Sequence, residues 1–531
     1  MKQKPLFLAI LSGLLLSLSW YVPFQFLIFV ALVPILFLEK YFFENKLATW
    51  KLYLYVFLAI LIWNIGTIWW LWNATKEAAV AAYIANALLQ SLPVLFFHLV
   101  KKNSQNRFGY WAFLLAWVAF EYLHLNWFLS WSWISLGNAF AYFPQTVQWY
   151  EFTGVLGGSA WVLGVNILAF YAISERKKYI ELAFVFGLPL LISTILYVNY
   201  EEKGEKAEIL VVQPNVDCYS EKYTYNSRTG EQNISSYIPL QKQVGRMTDL
   251  IEKNISPKTQ AVLLPETALH ENIDEQNPQN DFGVSRLNAL MKKYPQSALL
   301  VGVNALIFYK NQEDAKSQST TYRKSSGVFY DIANAAYFND NLHNQAFYHK
   351  SRLVIGVETN PFNGLFRYFG DDFMLNFGGA IGNLATQTER EVFVKNKLVL
   401  APVICYESIF GEYVGEYMQK GGNLIAIITN DGWWDDTAGH RQHFQYARLR
   451  AVETRKSVAR AANTGISGFI NQRGDVLVAS KYDEINAIRH EIQLNDELTF
   501  YARYGDFLGR LAAFLFVFMF LAAWVRKKAV R

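Results

Sequence analysis

Cysteine is almost missing from this sequence: Cys218 and Cys405 are the only two in 531 residues. Two thiols exclude a disulfide framework or a cysteine-built zinc cluster and leave at most one bridge. Charge is scarce too. Charged side chains make up 18% of the chain and the net charge is +5, so nucleic acid is not expected as a partner. Internal repeats and long low-complexity linkers are also lacking. What fills the sequence is apolar and aromatic: 52% hydrophobic residues, with 40 Phe, 31 Tyr and 16 Trp. That mixture points to lipid contact, and it is unevenly spread. Residues 1–199 are overwhelmingly apolar, residues 200–505 read as an ordinary globular domain, and residues 506–531 hold another apolar run with a basic tail.

A helix needs about 20 apolar residues to cross about 30 Å of hydrocarbon. Seven runs precede the globular part, at 6–22, 24–39, 52–72, 79–100, 109–125, 154–173 and 179–198, and "FLGRLAAFLFVFMFLAAWV" makes an eighth. Pro23, between the first two, predicts a tight helical hairpin. The opening run resembles a signal peptide but lacks a small-x-small cleavage site, so it is read as a retained helix. Basic residues then orient the spans. Lys2 and Lys4; Lys40, Lys46 and Lys51; Lys101, Lys102 and Arg107; Arg176, Lys177 and Lys178; and Arg526, Lys527, Lys528 and Arg531 all fall on one side. The other short loops hold little that is basic beyond Lys76. Positive residues mark the cytoplasmic side. Both termini are therefore expected inside and residues 200–505 outside, which in a bacterium is the periplasm. On that outer side lies the aromatic loop 126–152. Two readings of it stay open: an interfacial aromatic belt, or a surface element framing a lipid entrance, with Trp131 and Trp133 meeting acyl chains.

Within 200–505, strand and helix patterns alternate. "EILVVQPNV", "AVLLPETAL", "ALLVGVNALIF", "KLVLAPVICYE" and "NLIAIITND" read as strands, and "SSGVFYDIANAAYF" with "NQAFYHKSRLV" as a hairpin-like pair. "QKQVGRMTDLIEKN", "SRLNALMKKY", "GEYVGEYMQKG" and the long "RQHFQYARLRAVETRKSVARAA" read as helices. This is an α/β layered domain, in which catalytic residues sit at strand ends. The polar stretches 309–326 and 220–236 read as surface loops.

Cys405 stands where such a strand ends. Alone it fits a core thiol, a partner for Cys218, or a nucleophile. A nucleophilic thiol needs a base for its proton and a cation or donors for the oxyanion it creates. Two other apolar runs end in ionisable residues: Glu266 follows Pro265, and Lys350 stands among aromatics with Glu358 eight positions on. Singly, such a glutamate is usually a solvated turn residue and such a lysine a surface one.

Together, "LLPETAL", "YHKSRLV" and "VICYESIF", in the order Glu, Lys, Cys, resemble the nitrilase, or carbon–nitrogen hydrolase, superfamily. With the flanking spans, "VVQPNV" and "TNDGWWDDTAGHRQHFQYARLRAVETRKSVARAANTGISGFI", the whole chain resembles the apolipoprotein N-acyltransferase family. That resemblance implies a bundle of eight membrane helices plus a nitrilase-like α-β-β-α sandwich, in the bacterial inner membrane. It also implies two-step, ping-pong acyl transfer without cofactor or metal. Cys405 would hold the acyl group as a thioester, Glu266 would be the general base, and Lys350 the cation beside the oxyanion. Glu358 would help fix the lysine, and Tyr406 and Glu407 would flank the cysteine. The implied donor is a phospholipid, typically the sn-1 chain of phosphatidylethanolamine, and the acceptor is the α-amino group of a diacylglyceryl-cysteine lipoprotein. One departure stands out: the family's usual Leu-Val-Pro-Phe-Gly-Glu reads "LVIGVE" here, which puts loop shape and acyl preference in question.

Two further readings stay open. A membrane-anchored amidase would use the same triad and pass the acyl group to water. A transporter or scaffold would carry a non-catalytic outer domain; against it, the spans bury little that ionises beyond His98, Glu121 and His124. Asp435, Asp436, His440 and His443 lack a recognised metal-ligand spacing and read as a loop and helix start. Trp433 and Trp434 fit an acyl pocket or core packing equally. Arg448, Arg450, Arg455 and Arg460 read as a structural or solvated helix face.

Overall fold

The computed structural model describes residues 3–106, 108–311, 319–323, 327–342, 344–359 and 384–529. Lys2, Arg107, Arg531 and residues 312–318 and 324–326 of the polar stretch lie outside the described residues. The chain divides into two units, Met1–Trp72 with Ala78–Tyr200 and Tyr504–Arg531, and Asn73–Glu77 with Glu201–Arg503.

The first unit is helical. Among the described residues, six runs are long and apolar enough to cross a membrane: Gln25–Glu44, Thr49–Ile68, Lys76–Asn103, Tyr150–Glu175, Tyr179–Asn199 and Phe507–Lys527. The other two expected spans are helices of 16 residues, Gln3–Leu18 and Trp111–Asn126. At about 1.5 Å per residue each reaches about 24 Å, short of a full hydrocarbon core. Two runs are interrupted. Pro93, which has no N–H to give, marks the break between Lys76–Gln90 and Leu92–Asn103. The join between the short turn Gln25–Phe29 and the helix Val33–Glu44 is closed by Asn166, which accepts from Leu32 N at 2.8 Å and donates to Ile28 O at 2.9 Å.

The aromatic loop turns inward. Trp133 is 1% exposed, packs on Trp70 at 4.7 Å between ring centroids, and stacks with Trp131. Trp133 is thus a core residue of this unit, neither part of a belt facing lipid nor exposed to meet acyl chains as expected. The loop's irregular backbone is satisfied by buried side chains, as water-poor surroundings require: Glu121 Oε1 accepts from Leu136 N at 2.9 Å, and Ser159 Oγ from Gly137 N at 3.0 Å. This unit also buries more charge than its sequence suggests. Glu39, 0% exposed, bonds His98 Nδ1 at 2.9 Å and Lys101 Nζ at 2.6 Å. Glu39 and His98 lie within the expected spans, and Leu92–Asn103 runs on past its expected end to bring Lys101 to the same carboxylate.

Among the described residues, the second unit has fourteen strands. They are β1 (Lys206–Gln213), β2 (Thr259–Leu263), β3 (Leu269–Asp274), β4 (Ala298–Tyr309), β5 (Thr321–Arg323), β6 (Val328–Asn339), β7 (Gln345–His349), β8 (Phe393–Lys395), β9 (Leu398–Ile404), β10 (Leu424–Thr429), β11 (Ser457–Ala462), β12 (Gly468–Ile470), β13 (Val476–Ala479) and β14 (Asn486–Gln493). One sheet runs β14-β1-β2-β4-β6-β5, with β3 on β4 and β7 on β6; the other runs β13-β12-β11-β10-β9-β8. The sheets face each other, β1 against β11 and β4 against β10. Helices Leu240–Asn254 and Phe282–Met291 cover the outside of the first sheet through Val244, Met247, Ile251, Val284 and Leu287. Helices Gly411–Gln419 and Ala438–Thr454 contact β9 and β11 of the second. The result is an α-β-β-α sandwich. Strands covered on both faces need no alternation, which is why "LIAIIT" of β10 is buried throughout.

One expected element is corrected. The long helix stops at Thr454, where Arg455 takes left-handed φ 51°, and Ser457–Ala462 is a strand. Arg460 therefore belongs to β11. It and Arg450 are buried rather than solvated, Arg460 bonding Asp431 at 2.8 Å and Arg450 bonding Glu453 at 2.8 Å.

Candidate active site

Three strand ends converge. β2 cannot extend its ladder through Pro265, which has no N–H, and Glu266 follows at once. The neighbouring β4 stays close to this turn: Gly302 N donates to Pro265 O at 3.1 Å. Lys350 is the first residue past β7, and its N–H donates to Asn334 O of β6 at 2.8 Å. Cys405 is the first residue past β9. It has φ 48°, a left-handed conformation that costs a non-glycine residue about 1–2 kcal/mol. Pro402 is tolerated inside β9 because its partner β8 covers only Leu398–Leu400.

The side chains meet in a buried charged cluster. Lys350 Nζ, 1% exposed, lies 2.9 Å from Glu266 Oε1 and 2.8 Å from Glu358 Oε1. Asn334 Nδ2 donates to the same two oxygens, at 2.8 and 2.9 Å. Glu266 Oε2 accepts from Asn430 N at 3.1 Å, and Glu358 Oε2 from Val354 N at 2.8 Å. The second contact closes the "LVIGVE" loop on itself, and Gly356 turns it at φ 84°.

The electrostatics follow from this packing. Burial opposes charge on Glu266, but Lys350 beside it and hydrogen bonds from Lys350, Asn334 and the Cys405 thiol outweigh it and hold the carboxyl below its usual range. Burial likewise opposes charge on Lys350, and the Glu266 and Glu358 carboxylates raise it well above the ordinary value. Burial pushes the Cys405 thiol well above its usual range, and the Glu266 charge adds to this. At rest the proton is on sulfur, with a carboxylate waiting beside it. The arrangement suits proton transfer at the moment of attack, with a fixed ammonium for developing negative charge.

Tyr406 and Glu407 continue the turn after Cys405. Glu407 is fully buried, and it ties the two loops together. Oε1 accepts from Ser351 N at 2.7 Å and Tyr348 OH at 2.9 Å, and Oε2 from Ile404 N at 2.8 Å. Tyr406 is buried with its ring edge-on to Phe410 at 5.1 Å. Trp433 and Trp434 lie in the short turn Asp431–Trp434, half-buried, against Tyr219 and His443 respectively. Cys218 and Cys405 are both free thiols.

The histidines and acids of "DDTAGHRQH" go separate ways. His440 bonds Asp436 at 2.9 Å, while Asp435 pairs with Arg228 at 3.2 Å. His443 turns into the interior, between Asp431 at 2.9 Å and Ser408 Oγ at 2.9 Å, and its Nε2 lies 3.2 Å from Cys405 O. Asn334, Asp431 and Ser408 are the residues that sequence reasoning passed over, and His443 was read only as part of a loop and helix start. Asn334 left one faint sign, a polar residue in the middle of the apolar run "DIANAAYF".

Comparison with known proteins bears on both units. Residues 12–168 match the family described as apolipoprotein N-acyltransferase N-terminal domain, and residues 230–498 match carbon–nitrogen hydrolase. The chain is similar to a Chlorobaculum tepidum protein named apolipoprotein N-acyltransferase, 25% identical over 99% of this chain and 98% of that one. A Pasteurella multocida protein of the same name is 26% identical over 95% of this chain and 93% of that one. Among solved structures, a Saccharomyces cerevisiae member of branch 10 of the nitrilase superfamily is 15% identical, covering 54% of this chain and 90% of that one, with TM-score 0.38.

Proposed function

Because this chain belongs to the carbon–nitrogen hydrolase family, we propose that it is an acyltransferase of the apolipoprotein N-acyltransferase type. It takes an acyl chain from a phospholipid onto Cys405 and passes it to the N-terminal amine of a diacylated lipoprotein. One observation carries the reading: a buried, neutral thiol at a left-handed strand end, beside a carboxylate that lies 2.9 Å from a buried lysine.

In the first half-reaction Glu266 accepts the thiol proton as sulfur attacks the ester carbonyl of the donor. Lys350 Nζ faces the oxyanion. Collapse expels the lysophospholipid alkoxide, Glu266 returns the proton to it, and the acyl group remains on Cys405 as a thioester. In the second half-reaction the neutral amine attacks, Glu266 takes its proton, and the thiolate leaves and is reprotonated. An α-amine with pKa about 8 gives up its proton at little cost near neutral pH. Glu358 and Asn334 hold Lys350 and Glu266 in place, Glu407 holds the Cys405 turn against the Lys350 loop, and Tyr406 flanks the thiol. Phosphatidylethanolamine is the expected donor. Trp433 and Trp434 are candidates to meet the acyl chain.

The setting supports transfer over hydrolysis of soluble amides. The catalytic unit, within 200–505, is joined at both ends to apolar helices, Tyr179–Asn199 and Phe507–Lys527. That tether keeps the site where two lipid-anchored substrates arrive by lateral diffusion. The basic residues between spans favour an inner-membrane protein with cytoplasmic termini and a periplasmic catalytic unit.

Intact-mass measurement of the full chain, wild type beside Cys405→Ser, tests the reading. The wild type should carry one acyl adduct, absent from the variant, that leaves as an added diacylated lipopeptide gains one chain. No adduct with phospholipid supplied, or an adduct lost equally fast without lipopeptide, overturns it.

A further inference from the structure

Arg352 stands two residues after Lys350, and its guanidinium lies over the rings of Phe410 and Tyr413, 5.1 and 5.7 Å from their centroids. Phe410 belongs to the segment that begins at Cys405, and the Tyr406 phenol next to the nucleophile feels the Arg352 charge. Phe410 and Tyr413 are buried, and Arg352 is half-buried. Among the described residues Arg352 makes no hydrogen bond and no ion pair.

A second arginine shows what a settled guanidinium looks like here. Arg390 covers the same Tyr413 ring at 4.0 Å, donates to Tyr348 OH at 3.2 Å and to Thr388 O, and pairs with Glu416 at 3.4 Å. Glu416 also feels the charge of Arg352 but is bonded to Arg390. Aromatic faces satisfy the flat side of a guanidinium and leave the in-plane N–H donors on its edge unused. Five such donors in a rigid fork match the oxygens of a phosphate better than any neutral acceptor.

We propose that Arg352 recognises the phosphodiester of the acyl donor, as a specificity-determining residue beside the Cys405 turn. This rests on the acyl-transfer reading above. The ligand is a phosphodiester carried on a lipid, held on an arginine that Phe410 and Tyr413 seat.

The test compares thioester formation on Cys405 from two donors, phosphatidylethanolamine in mixed micelles and the p-nitrophenyl ester of the same fatty acid, which carries no phosphate. In Arg352→Gln the selectivity for phospholipid over ester should fall about 10- to 100-fold, mainly through KM, with part of it recovered in Arg352→Lys. An equal loss with both donors would mean a structural role, and unchanged selectivity would mean no role; either overturns the proposal. So would inhibition of the phospholipid reaction by millimolar inorganic phosphate that disappears in Arg352→Gln, since the ligand would then be the free anion. A wild type that forms no thioester from either donor removes the acyl-transfer reading itself, and this proposal with it.

Discussion

Lys222 carries an ammonium that is 2% exposed, and its hydrogen bond goes to Thr267 Oγ1 at 2.7 Å. Thr267 directly follows Glu266 and has φ 48°, which is strained for a β-branched residue. Two costly features thus meet beside the proposed base, and each helps to hold the turn. Burial pulls the Lys222 pKa from 10.5 down to about 8. That depression costs about 3 kcal/mol of stability at neutral pH. Below about pH 8 the folded and unfolded chains both carry the proton and the whole cost is felt. Between about 8 and 10.5 the unfolded chain keeps a proton that the folded chain has released, so stability rises with pH. Lys222→Met should therefore raise Tm at pH 7, with the gain shrinking to nothing near pH 10.5; thermal unfolding at a series of pH values checks this. Cys405, Glu266 and Lys350 were legible in the sequence because each ends an apolar run with an ionisable group. Lys222 and Asn334 were not. Their partners lie 45 and 68 residues away, and no local pattern names those partners.

The strands and helices set how tightly those residues are held. A Cβ at Gly302 in β4 would lie 2.4 Å from Glu266 Cα and 2.5 Å from Pro265 O, both backbone atoms that cannot swing aside. Gly302→Ala should destabilise the catalytic unit by about 1–3 kcal/mol. It should also slow Cys405 acylation about tenfold or more by displacing Glu266. Gly245→Ala is the control: it lies in the helix Leu240–Asn254 with open space around its Cβ, and should stabilise by up to about 1 kcal/mol. Thermal unfolding and the rate of thioester formation separate the two. Most element types were readable from periodicity, Ser457–Ala462 excepted, but ends were not: the strand read as "AVLLPETAL" stops at Leu263, before Pro265. Nor was the end of Ala438–Thr454 readable, since Arg455 is an ordinary helix former that turns left-handed only in its buried setting, where Asn495 Nδ2 bonds its carbonyl at 2.8 Å.

At the scale of the whole chain, the basic residues between spans predict a sidedness that labelling can read. In a background with both native cysteines changed to alanine, a membrane-impermeant maleimide applied to spheroplasts should label Ser235→Cys and leave Lys177→Cys unlabelled until the cells are opened. Both positions are exposed, so burial does not decide the result. Labelling of Lys177→Cys in intact spheroplasts would reverse the orientation. The sequence alone determined the division into apolar and globular parts, because a stretch either has about 20 apolar residues or it does not. It also determined the α/β pattern and the Glu–Lys–Cys order, which local composition and short motifs carry. The tertiary structure alone decided which polar groups meet in the interior: Glu39 with His98 and Lys101, Asn334 across two carboxylates, His443 against Asp431, and Arg352 left on its aromatic seat. A buried polar group must find a partner wherever the fold brings one, and the distance along the chain to that partner is written in no local pattern.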